Sequence, residues 1–186
     1  MRTVASILLM VCCCAVVGLQ AEQDVRVLAT AKTSTMEKEM NEAAEAGFRF
    51  AAVMGGDTAF GGSEVVVIMT RTPDQPRVQY RLLATGKTST MEKELQQAGD
   101  AGFEYRGQTV FKSTFGGKEV AVILERDKAL DPVRYHYHVV ATSKTSTMEK
   151  ELRESTSAGY EFVGMTLGKT LIGGEEVVSI LRKKAE

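Results

Sequence analysis

One stretch, Ala-Thr-x-Lys-Thr-Ser-Thr-Met-Glu-Lys-Glu, occurs three times, at residues 29–39, 84–94 and 141–151. The copies are offset by 55 and then 57 residues, and each aligns with the next without a gap from the motif to its end. Gly47, Gly102 and Gly159 correspond, as do Gly61-Gly62, Gly116-Gly117 and Gly173-Gly174, and then Glu64, Glu119 and Glu176. Landmarks at constant spacing mark repeated supersecondary units, so the chain divides into repeats at 22–72, 77–127 and 134–186. The three Pro residues (Pro73, Pro76, Pro132) fall between repeats, as expected of linkers.

Each repeat reads as strand–helix–strand–strand. The first strands are expected at 25–30, 79–85 and 135–142. Ser34, Ser89 and Ser146 are expected to cap the helices, with Glu37, Glu92 and Glu149 three residues on completing a capping box. Met36, Met40, Ala43 and Ala44 share one helical face, and Met91, Leu95 and Ala98 repeat it. The third helix keeps Met148 and Leu152 and then turns polar at Glu154-Ser155-Thr156-Ser157, so it is expected to pack least well. Gly47, Gly102 and Gly159 are expected to end the helices in the left-handed conformation, with Phe48, Phe103 and Tyr160 folding back beyond them.

The second strand begins at that aromatic and leads through a glycine-containing hairpin to a nearly all-apolar third strand at 65–69, 120–124 and 177–181. A strand apolar on both faces is buried on both, which places it between the other two. One side of each sheet is covered by its own helix. The other needs another repeat, because about 45 residues cannot bury two faces alone. The expected fold is α+β: three tandem βαββ repeats in one pseudo-threefold body, antiparallel or mixed sheets inside and helices outside. The five Tyr and seven Phe are assigned to the post-helix strands and hairpins.

The N-terminus reads as a targeting segment. Arg2 precedes an unbroken apolar run, 7–17, too short for the ~20 residues of a spanning helix. Small residues at Gly18 and Ala21 offer two cleavage points, so 1–21 is expected to be a signal peptide and the protein to be exported, periplasmic or secreted. All three Cys lie in that segment, which leaves the remainder without a disulfide, a thiol nucleophile or a Cys-bound metal. The chain carries 23 Lys+Arg against 24 Asp+Glu, which gives it no bulk electrostatic handle for nucleic acid. No stable membrane insertion is expected of the mature chain, and a homo-oligomer stays open.

Ala-Gly-Tyr-Glu-Phe-Val (158–163) and Ala-Gly-Phe-Glu-Tyr (101–105), placed after a helix and before a hairpin ending Val-Ile-Leu-Glu-Arg (122–126), resemble a family of small bacterial strand–helix–strand–strand domains of unknown function. Helices in that family end in Glu-Gly-Trp-Glu; Phe or Tyr stands at the Trp position here. The element order is also similar to that of the secreted stress-associated domains of enteric bacteria. Both resemblances imply a fold and no catalytic residues.

The candidate ligand site is the Lys-Thr-Ser-Thr corner at each helix start: Lys32, Thr33, Ser34 and Thr35; Lys87, Thr88, Ser89 and Thr90; Lys144, Thr145, Ser146 and Thr147. A helix N-terminus with a Lys and three hydroxyls suits a phosphate, sulfate or carboxylate. Glu37, Glu92 and Glu149 would repel such an anion, and a shared packing corner explains the identity as well. Gly86-Lys87-Thr88 resembles the tail of a phosphate-binding loop, but Arg81 stands where that loop needs Gly. His136 and His138 share a strand face without a third ligand. No Gly-x-Ser-x-Gly elbow is present. The resulting expectation is a non-enzymatic scaffold or binding protein with no cofactor and no metal, the alternative being a small-anion binder at the three corners.

Overall fold

The computed structural model describes residues 24–58, 62–71, 78–112, 118–169 and 175–186. The expected export segment with its cysteines, the Pro73–Pro76 linker and most of the Gly-Gly hairpin tips lie outside the described residues. The elements in chain order are β1 (Asp24–Thr30), α1 (Thr33–Glu45), β2 (Phe48–Thr58), β3 (Gly62–Arg71), β4 (Val78–Thr85), α2 (Thr88–Asp100), β5 (Glu104–Lys112), β6 (Lys118–Asp127), β7 (Tyr135–Thr142), α3 (Thr145–Ser157), β8 (Glu161–Lys169) and β9 (Glu175–Lys184). They form three three-stranded antiparallel sheets ordered β1-β3-β2, β4-β6-β5 and β7-β9-β8. The apolar third strand is central in each, as its two-sided hydrophobicity requires.

The helix starts differ from the expected capping box. The N-cap residues are Lys32, Lys87 and Lys144, in extended conformation, and no side chain caps the helix. The Met36 amide donates to the Lys32 carbonyl at 3.0 Å, so the helix winds from Lys32 rather than Ser34. The cause is the Thr two residues earlier: the Thr30, Thr85 and Thr142 hydroxyls accept from the Lys32, Lys87 and Lys144 amides at 3.1–3.2 Å. These hydroxyl-stabilised turns fix the backbone before the helix begins.

The helix ends match the expectation. Gly47, Gly102 and Gly159 have φ of +88°, +81° and +87°. The Phe103 amide donates to the Ala98 carbonyl and the Gly102 amide to the Gly99 carbonyl, a Schellman arrangement that the Tyr160 and Gly159 amides repeat. A cation from the third strand closes each end: Arg71, Arg126 and Lys183 lie 5.0, 4.9 and 4.6 Å from the ring centroids of Phe48, Phe103 and Tyr160.

Among the described residues there are two apolar cores, and each spans a pair of repeats. The first joins Met36, Met40, Ala43 and Ala44 of α1 and Val65, Val67 and Met69 of β3 to Val78, Tyr80, Ala121 and Ile123 of the second repeat. The second joins Met91, Leu95 and Ala98 of α2 and Val120, Val122 and Leu124 of β6 to Tyr135, Tyr137, Val178 and Ile180 of the third. Alternate residues of β6 thus enter different cores, which makes this strand the shared wall. In α3 only Ser155 is buried, so the third helix packs least well.

Helix α1 packs against β4 and helix α2 against β7. No hydrogen bond joins α3 to β1 among the described residues. At the second joint the helix approaches closely: a Cβ on Gly99 would lie 2.3 Å from the Tyr135 carbonyl oxygen and 2.9 Å from the Tyr137 ring. Helix propensity alone favours Gly99→Ala by roughly 1 kcal/mol. The backbone contact predicts the opposite sign, a loss of stability on the order of 1–3 kcal/mol, which urea unfolding of the variant measures.

Candidate functional site

The structure places one Lys-Thr-Ser-Thr corner at the start of each of the three helices. Lys32, Lys87 and Lys144 are exposed, as are Ser34, Ser89 and Ser146. No hydrogen bond joins one corner to another among the described residues. One contact reaches across repeats: the Thr88 hydroxyl donates to the Glu176 carboxylate at 2.6 Å, so the second corner already holds an acid. Thr30, Thr85 and Thr142, which the sequence reading passed over, shape the corners from below.

The glutamates expected in capping boxes work elsewhere. Glu37 accepts from the Leu82 amide at 2.8 Å, on the free edge of β4. Asn41, one turn on, donates to the Tyr80 carbonyl at 3.0 Å and accepts from the Tyr80 amide at 2.9 Å. The second joint repeats this at equivalent positions. Glu92 accepts from the Val139 amide at 3.2 Å, and Gln96 accepts from the Tyr137 amide at 3.0 Å. Each helix therefore supplies side chains in place of the strand that the edge of the following sheet lacks.

A tyrosine plugs each joint, a role not assigned to Tyr80 and Tyr137 from the sequence, which put the tyrosines in post-helix strands and hairpins. Both sit on first strands and are buried, as is Tyr135 beside Tyr137. The Tyr80 hydroxyl accepts from the Phe50 amide at 2.7 Å and donates to Glu125 at 2.8 Å. The Tyr137 hydroxyl accepts from the Tyr105 amide at 2.7 Å and donates to the Phe103 carbonyl at 3.1 Å. Burial pushes both phenols up, Tyr80 further through the adjacent Glu125 charge, and burial pushes Tyr105 up to about 12.

Glu125 is the most enclosed charge of the site, with 3% of its surface exposed. Arg49 of the first repeat reaches it through Nε at 3.1 Å, and Arg106 through Nη2 at 2.8 Å. Arg106 is the extra residue of a β-bulge where the β5–β6 register slips between Tyr105 and Gly107. Bulges re-aim side chains in this way. The pairing continues from Arg106 to Glu104 at 3.4 Å, from Glu104 to Arg182 at 2.7 Å, and from Arg182 to Glu161 at 3.5 Å. Six charges of alternating sign thus run through all three repeats.

Burial alone would push the Glu125 carboxyl up, but the Arg49 hydrogen bond, the Arg106 charge and the Tyr80 hydroxyl outweigh it and hold the group below its ordinary range. The Arg49 guanidinium is raised in turn, chiefly by its hydrogen bond to Glu125. A cleft of about 180 Å³ opens beside this cluster, lined by Arg49, Glu104, Arg106, Asp131 and Tyr135 among others. A wider cleft of about 640 Å³ lies between β7 and α3, lined by His138, Glu151, Ser155 and Tyr160 among others. His138 Nδ1 lies 3.0 Å from Glu92, and His136 is exposed. Among the described residues no group of three or more His, Cys, Asp or Glu is placed to hold a metal, and no helix is long and apolar enough to cross a membrane.

No family model, curated protein or solved structure matches the chain.

The sequence signal for the charge ladder lies in the repeat alignment. Arg49, Glu104 and Glu161 are equivalent, and so are Thr70, Glu125 and Arg182. Offset by one repeat the two columns are complementary, Arg49 with Glu125 and Glu104 with Arg182, and Glu125 ends an otherwise apolar run.

Removing one partner of a buried ion pair leaves the rest uncompensated, so Glu125→Ala is predicted to cost about 3 kcal/mol. Because the folded-state pKa is depressed, the pair's contribution is complete above the unfolded value of about 4.3 and is lost as pH falls through the folded value. Glu125→Gln is predicted to flatten the acid limb of stability between about pH 5 and pH 2, as read by urea unfolding across that range.

Proposed function

We propose that the chain is an exported, non-enzymatic scaffold or binding protein whose three repeats form one body. The observation that carries this reading is where the polar chemistry goes. Glu37, Asn41, Glu92, Gln96, Tyr80, Tyr137 and the Glu125 ladder are all engaged in holding one repeat to the next. Two joints of one design support serial order in that body. Pseudo-threefold closure would need a third joint, between α3 and β1. For export the support is the charged-then-apolar segment ahead of the repeats. Protein recovered from outside the cytoplasm is expected to begin at Leu19 or Glu22 by mass spectrometry, and an intact Met1 start there would refute cleavage.

A second reading, anion binding at the Lys-Thr-Ser-Thr corners, is favoured by one observation: all three helices start without a side-chain cap. Their first amides are left for solvent or a ligand, and in α1 and α2 the nearby Glu has turned toward the next repeat. Thermal unfolding in phosphate against sodium chloride of equal ionic strength separates the readings. The scaffold reading expects equal midpoints for the wild type and Lys87→Ala. Specific stabilisation by phosphate, reduced in Lys87→Ala, would replace it with the anion reading.

A further inference from the structure

The two joints within the chain define a giving face and a receiving face on every repeat. The giving face combines the helix with the second strand. Phe50 and Val53 of the first repeat lie within 3.4 Å of a Cβ placed on Gly107 of the second, and Tyr105 and Gln108 of the second within 3.1 Å of one placed on Gly164 of the third. The receiving face is the opposite side and free edge of the following sheet, where Tyr80, Ala121 and Ile123 enter the first core.

At the ends of the chain each face is left over. The register places Val25 beside Thr70, Val27 beside Ile68, Ala52 beside Ile68 and Met54 beside Val66, all on the receiving side of the first sheet. Val25, Val27 and Met54 are 53%, 62% and 60% exposed. In the third repeat Phe162 and Met165 stand where Phe50/Tyr105 and Val53/Gln108 stand in the others. With Leu167 they are 48%, 57% and 55% exposed. Terminal repeats that face water carry polar outer surfaces. The first sheet does the reverse: it has Met54 where the other repeats have Thr109 and Thr166.

We propose that these faces meet between molecules, the α3–β8 face of one copy receiving the β1–β3 face of another, so that the protein assembles head to tail. The occupant is a second copy because the joint already exists twice within the chain and both leftover halves belong to it. Glu149 stands where Glu37 and Glu92 stand, placed to accept from the Val27 amide as they accept from Leu82 and Val139. In the lone chain Glu149 is held by Arg153 at 2.7 Å. Arg153 replaces Asn41 and Gln96 and can donate to the Val25 carbonyl but accept nothing. The charge columns permit this contact and disfavour others: Glu161 would meet Thr70 of the next copy. The same end on a second repeat would set Glu161 against Glu125, and a first repeat on a third would set Arg49 against Arg182. A two-fold pairing of first sheets would leave Phe162, Met165 and Leu167 in water. Heterologous contacts of this kind build rings or filaments.

This inference deepens the scaffold reading and rests on it only through the repeated joint. An anion response would count against that reading, whereas sedimentation decides this one. Sedimentation velocity is run on the full chain under reducing conditions. The wild type is expected to grow in mass with concentration. Ile68→Glu spoils the receiving face and Met165→Glu the giving face, both at exposed positions, and circular dichroism confirms that each variant folds. Each alone is expected to sediment as a single chain, and their equimolar mixture as a species of twice that mass, since each keeps the face the other lacks. Val27→Lys and Leu167→Lys form a second pair with the same expected outcome. A wild type that stays monomeric overturns the proposal, as it would if the N-terminal segment covered the first sheet. Self-association retained by Met165→Glu with no pairing in the mixture also overturns it, in favour of a two-fold dimer.

Discussion

The free edge of a first strand is the constraint from which the rest follows. In each repeat the central strand uses only one side of the first strand, so amides and carbonyls such as those of Tyr80 and Leu82 point away from their own sheet. A β-hairpin would satisfy them with another strand and risk pairing with a stranger. This chain satisfies them with a Glu and an Asn or Gln one turn apart on the preceding helix. The consequences reach the core. A helix bonded to the next repeat's edge must bury its apolar face between two repeats, which is why neither core belongs to one repeat alone. It also explains much of the recurring motif. Its first Thr shapes the corner, and in the first two repeats its Met enters the cores and its first Glu reaches the following strand.

Shape alone would let repeats of such similar sequence join in any order. Charge removes that freedom. The first joint places Arg49 against Glu125, and the second reverses the signs with Glu104 against Arg182. A second repeat docked on another second repeat would oppose Glu104 and Glu125. Repulsion between poorly solvated like charges is a stronger filter than the modest gain from a correct pair. The ladder therefore matters for order at least as much as for stability. It depends on a bulge that delivers Arg106 to the same carboxylate.

Element order, the central place of the third strand and the glycine helix ends were legible in the sequence because each has a local cause. Two-sided apolarity fixes a central strand, and a glycine at positive φ ends a helix wherever it lies. The capping box was misread because Ser-x-x-Glu has the right spacing, but the helix starts at the preceding Lys. Thr30, Thr85 and Thr142 pin that Lys amide, which moves Glu37 and Glu92 a half-turn beyond cap range and frees them for the next repeat. The Tyr80 and Tyr137 plugs and the Glu125 cluster escaped for a different reason. Apart from Arg106, 19 residues from Glu125, their partners are 30 to 76 residues away, a separation that no periodicity in one repeat records.

The end repeats depart from the middle one in opposite ways. In α3 the joint positions have become Arg153, Ser155 and Thr156, a polar helix that tolerates water. On the first sheet the plugging tyrosine has become Val25, too small to fill the pocket its counterparts fill, while Val27, Ala52 and Ile68 beside it are apolar and Met54 replaces a Thr. A smaller plug facing a bulkier helix position is a reciprocal exchange of volume. Thr156 has outgrown Gly99 at the place where a helix atom meets a strand tyrosine, and Val25 has shrunk from Tyr137 at the place it would meet. In the head-to-tail contact proposed above, Thr156 would stand opposite Val25, so the larger helix residue would meet the smaller strand residue.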